Sequence, residues 1–126
     1  IIMDLTKEWD NVQGDGSGSR LVTGVTIVNN DFLKEHEDLV DTFLQEHEAS
    51  IAFTAEDPDA AAELIAKAEI VAKAPIAKKA LPYCNITFIS GDEMKTELSG
   101  YLQALYDQNP ASFGGELPDD GFYYVK

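Results

Sequence analysis

Two histidines stand in matching acidic triplets, Glu35-His36-Glu37 and Glu46-His47-Glu48, eleven residues apart. Imidazole beside carboxylates is the chemistry of zinc sites and of proton transfer. On one continuous helix eleven residues make about three turns, so both rings would face one way but sit ~16 Å apart along the axis. One zinc ion, with bonds of about 2 Å, cannot be shared across that gap. His-Glu-x-x-His does not occur. His47 is therefore expected as a partly packed helix residue and His36 as a surface one.

Gly14-x-Gly16-x-Gly18 has the look of a phosphate loop, but such glycines follow a strand and open a helix whose N–H groups hold the anion. Here they precede the strand-like run, with no Lys-Ser or Lys-Thr behind them, so a Gly/Ser linker is expected. The same loop lacks the terminal Glu and alternating oxygen ligands of a calcium hand. Cys84 has no histidine near it in sequence to act as base, so it reads as a small buried residue. Gly-x-Ser-x-Gly is absent, and carboxylates are too many to mark a pair. No catalytic residue, metal ligand or cofactor is assigned.

The carboxylates are more informative in bulk. The 126 residues carry 23 Asp+Glu against 9 Lys+Arg, a net charge of −14. That balance argues against nucleic acid and anionic membrane surfaces as partners. Residues 30–59 hold ten acids and one lysine, while 67–79 hold four lysines and one Glu, so the charge is concentrated on one stretch. No apolar run approaches the ~20 residues that span a bilayer. One cysteine excludes an internal disulfide. The length suits a single domain.

The elements that would position these groups are legible in part. Residues 1–20 are expected as an N-terminal segment and Gly/Ser linker, and residues 21–126 as the main body. Leu21–Val28, with six β-branched residues in eight, reads as a strand buried on both sides. Asn29-Asn30-Asp31 caps a helix running to about Glu56, with Leu39, Val40, Phe43, Leu44, His47 and Ile51 as its apolar stripe. Asp57 caps a second helix with Pro58 in its first turn, burying Ala61, Leu64, Ile65 and Ala68. A short helix covers Pro75–Ala80 and ends before Pro82. Cys84–Ile89 reads as extended. Ser90-Gly91-Asp92-Glu93 is a capping box that opens a helix ending at Asn109-Pro110. One good strand cannot satisfy its own backbone, so the inventory is short of β-structure.

Several of these stretches, taken in order, resemble a known family. Val22–His36, Asp57–Glu63, Ala80–Ile86, Leu105–Pro110, Gly114–Asp120 and Phe122–Tyr124 are similar to segments of bacterial ABC-transporter solute-binding proteins of the nitrate, sulfonate, taurine or thiamine-precursor type. Leu5–Asp10 has a counterpart before the strand-like run. The resemblance implies a helix-rich α/β chain, a partial lobe of the type-2 periplasmic-binding-protein fold. It also implies that these residues are the C-terminal part of a longer two-lobed protein, which would explain the missing strands.

By the same resemblance the intact protein sits outside the cytoplasmic membrane, captures a small solute and delivers it to an ABC permease. It breaks no bond and is not an enzyme. Arg20 and Thr23, beside the strand-like run, are the candidate ligand contacts, Arg20 by a bidentate bond to an anionic solute. The fragment is expected to leave residues 21–28 unpaired in its own monomer or to self-associate by strand swapping. The competing reading is an independent acidic helical module that docks a basic partner.

Overall fold

The structure is a computed structural model that describes residues 3–14 and 16–126. Six α-helices occupy them: α1 (Leu5–Gln13), α2 (Asn30–Glu35), α3 (Glu37–Glu56), α4 (Pro58–Lys67), α5 (Ala74–Ala80) and α6 (Gly91–Gln108). Short 3₁₀ turns follow at Leu81–Tyr83, Pro110–Phe113 and Asp120–Phe122. The chain divides into two compact units, one formed by Ile1–Thr26 and Ile89–Lys126, outer in sequence order only, the other by Ile27–Phe88, inner in sequence order only.

In the inner unit, Asn29 opens α2 by accepting hydrogen bonds from the amides of Asp31 and Phe32. The single long helix expected from Asp31 to Glu56 is broken at His36, whose backbone leaves the helical region at φ −138°, ψ 42°. His36 closes α2 through its N–H to Phe32 O and starts α3 in the same residue. Asp57 and Pro58 start α4 as the sequence suggests, with the Asp57 carboxylate accepting from Ala60 N at 3.0 Å. Packing brings α4 against α5 and α3.

The buried positions here are Val40 of α3, Ala61 and Ala62 of α4 and Ala77 of α5. Alanine loses no side-chain rotamers on burial, so this helix contact forms at low entropic cost. It also buries little apolar area, and Leu64, expected inside, is exposed. The α4–α5 connection is a Schellman turn: Ile70 N–H donates to Ile65 O and Glu69 N–H to Ala66 O. That turn holds Glu69 at φ 58°, a conformation normally filled by glycine.

In the outer unit, Asp4 accepts from the amides of Thr6 and Lys7 to start α1, and Gly14 closes it at φ 81°. The loop behind it packs on α6: Ser19 is buried and Gly18 lies against Thr96. Asp15 of this loop lies outside the described residues. Ser90 stands at the N-terminus of α6 without making the expected capping bond. The tail then folds back on α6, where Tyr106 Oη donates to Gly115 O at 3.0 Å and its ring meets Phe113 edge-on.

The expected α/β class is overturned. The described residues are helical or irregular and include no strand or sheet. Leu21–Val28 is irregular, and no backbone hydrogen bond joins it to another described residue. Val25 and Ile27 are 57% and 82% exposed where a doubly buried strand was expected. The physical reason is that β-propensity describes fit to a pleated neighbour, and a strand without one has no ladder. The second candidate, residues 84–89, supplies none, since Asn85 turns left-handed at φ 50°.

Candidate functional site

Arg20 is the better placed of the two sequence candidates. It lines a cavity of about 610 Å³ in the outer unit, between the glycine loop and the first turns of α6. Its Nε lies 3.3 Å from Glu97 Oε1, and its Nη1 lies 3.6 Å from Asp10 Oδ2. Glu97 is the more buried partner, at 16% side-chain exposure, and so anchors the pair. Asp92 and Glu93 line the same cavity, so four carboxylates share it with one guanidinium, which pairs with two of them. An anion reaching Arg20 would have to displace a carboxylate and enter a net-negative cleft. Thr23 is exposed on the Leu21–Val28 segment and does not line the cavity. The structure therefore does not bring the two candidates into one site.

The loop reaches this position through contacts that no local pattern announces. Trp9 Nε1–H donates to Ser19 Oγ at 3.1 Å, and the Trp9 ring meets Tyr101 of α6 at 5.0 Å. Gly100 allows the approach, because a Cβ there would fall 2.9 Å from Ser19 Cα. Asp10 and Glu97 were missed as partners of Arg20, being 10 and 77 residues away. A second, apolar groove of about 380 Å³ runs along Leu5, Trp9, Val12, Leu21 and Leu105. Leu5, Trp9 and Val12 follow helical spacing, which was the available signal for α1.

The other sequence candidates fall elsewhere. His36 stacks obliquely on Phe32 at 4.8 Å, and His47 lies between Phe43 at 5.5 Å and Phe88 at 6.0 Å. Among the described residues no group of three His, Cys, Asp or Glu side chains has metal-binding geometry. Cys84, expected to be buried, is exposed and donates its S–H to Ala80 O at 3.3 Å.

The shifted acid–base groups lie on the tail, not in the cleft. Lys95 Nζ is 2.8 Å from Asp120 Oδ1 and 5.9 Å from the centre of the Tyr123 ring. The hydrogen bond to Asp120 raises the Lys95 pKa, and the same bond holds Asp120 below the ordinary carboxylate range. Partial burial raises the Tyr123 phenol.

No protein-family model matches the chain, and no curated protein or solved structure matches it.

Proposed function

We propose that this chain is the helical part of an extracytoplasmic solute-binding component of an ABC importer. The observation that supports the reading is Leu21–Val28, a β-branched segment with no backbone hydrogen bond to another described residue and with Val25 and Ile27 exposed to water. A segment of that composition is stable when further polypeptide covers it. The ordered resemblance over residues 5–124 supplies the kind of protein: one in which a small solute favours a closed arrangement, and a permease reads that arrangement. On this reading the 126-residue chain carries part of the solute cleft and binds no solute tightly by itself.

The test uses the intact gene product. Its mass is compared with the 13.8 kDa of these residues, and its melting temperature is followed with nitrate, aliphatic sulfonates and pyrimidines. A heavier product whose melting temperature rises by several degrees with one solute class supports the proposal; a ligand at 100 times its Kd adds about 2.7 kcal/mol. A product of 13.8 kDa that responds to none of them would overturn it. A second reading, an acidic helical module for a basic partner, draws on the net −9 of residues 30–59. Salt-sensitive binding of a lysine-rich peptide without any solute response would favour it.

A further inference from the structure

We propose that the exposed face of α3 around Leu39 and Phe43 docks a basic amphipathic helix of another protein. Its apolar side chains would lie on Leu39 and Phe43, and its lysines or arginines would meet Asp38 and Glu46. This rests on the acidic-module reading above and is independent of solute binding.

The surface lies wholly within the inner unit. Leu39 and Phe43 are four residues apart on α3, and so share a face, and they are 53% and 48% exposed. Exposed Phe32 of α2 extends the apolar run toward the start of α3 through its contact with His36 at 4.8 Å. Apolar side chains exposed as a group, rather than singly, mark interaction surfaces. Phe43 is also held in place, because its ring stacks on His47 at 5.5 Å and His47 in turn meets the edge of Phe88. An anchor fixed before binding loses less entropy when a partner arrives.

Charge names the occupant. Asp38, Thr42 and Glu46 recur at four-residue steps beside the apolar pair, so the two carboxylates stand about 12 Å apart along one edge of it. Neither is in an ion pair with a described residue. Residues 30–59 carry a net −9, so a second α3 brought to this face would be repelled. A helix with apolar residues at i, i+4 and i+7 and basic residues beside them meets both the apolar pair and the acidic edge.

The probe is a fluorescein-labelled peptide of about 16 residues, with leucines at that helical spacing and lysines elsewhere. Its anisotropy is measured with the 126-residue chain at about 0.05 and 0.5 M salt. Binding is expected at low salt, and a scrambled peptide of the same composition should bind at least about tenfold more weakly. Leu39→Ser with Phe43→Ser should cost at least about tenfold in affinity. Asp38→Asn with Glu46→Gln should weaken binding about threefold at low salt and leave it unchanged at high salt. Ile76→Ser, which removes an exposed side chain on α5, should change it less than about twofold. Circular dichroism checks that each variant keeps its helices. Binding that survives the double serine variant, or that the scrambled peptide matches, would overturn this surface while leaving the acidic-module reading in place. No binding of either peptide would overturn both.

Discussion

Gly100 sits within α6, where glycine is ordinarily a cost of about 1 kcal/mol relative to alanine. Its place is explained by Ser19, whose Cα, Cβ and N would lie 2.9–3.1 Å from an added Cβ. The nearest of these atoms is backbone, so the loop itself must move. Gly100→Ala is therefore expected to destabilise by about 1–2 kcal/mol, overpacking outweighing the gain in helix propensity. Urea unfolding followed by Trp9 fluorescence measures this, because Trp9 bonds to the displaced Ser19. A stabilised variant would show that the loop yields freely. Nothing in the local sequence points to this contact, since Ser19 and Gly100 are 81 positions apart. The same holds for Arg20, whose charge was legible but whose carboxylate partners were not. In a chain with 23 acidic residues, composition does not single out the two that meet it.

Helix ends were legible where a residue acts on its own backbone. Asp57-Pro58 starts α4 and Asn109-Pro110 ends α6 because capping and the missing proline N–H act within a few residues. Where the outcome depends on a distant neighbour, the reading fails. Leu21–Val28 has strand composition but no ladder partner among the described residues, and α1, ahead of the glycine-rich loop, carries its signal only in the spacing of Leu5, Trp9 and Val12.

The tail on α6 belongs to the same scale, and its hold should depend on pH. Asp120 has a lowered pKa, so its contribution is present above the ordinary carboxylate value, about 3.9, and is lost as pH falls through the lowered one. Lys95 has a raised pKa, so its contribution is complete below about 10.4 and is lost as pH rises through the raised one. Between these limits the tie persists, and at either extreme it is released. Carboxylate NMR titration is expected to show the Asp120 midpoint moving upward in Lys95→Met. An unchanged midpoint would mean that the ion pair does not form in solution. Both groups reach solvent, so the effect is on tail order and contributes little to global stability.

For the whole molecule, the distribution of buried residues matters more than any one helix. Val40, Ala61, Ala62 and Ala77 are the buried apolar residues among those described, and three of the four are alanine. At about 25 cal/mol for each Å² of apolar surface removed from water, methyl groups supply little driving force. A helix as short as the 10 residues of α4 is marginal alone, so α3 and α4 depend on half-buried apolar contacts such as Leu44, Ile51, Phe53 and Ile65 more than on a fully buried core. This is the molecular-scale form of the uncovered Leu21–Val28 segment: the chain has more apolar surface than its own buried positions use. Any partner that binds the folded chain and not the unfolded one should therefore raise its stability.

Trp9 carries a consequence of a different kind. It is the chain's single tryptophan, and its contacts to Ser19 and Tyr101 all lie within the outer unit. Indole emission therefore reports on one unit, while far-ultraviolet dichroism is weighted toward both. Heating should yield two different midpoints from the two signals, the mark of a molecule that does not melt all at once. Superimposable curves would instead mean that the inner unit and the tryptophan's surroundings unfold together.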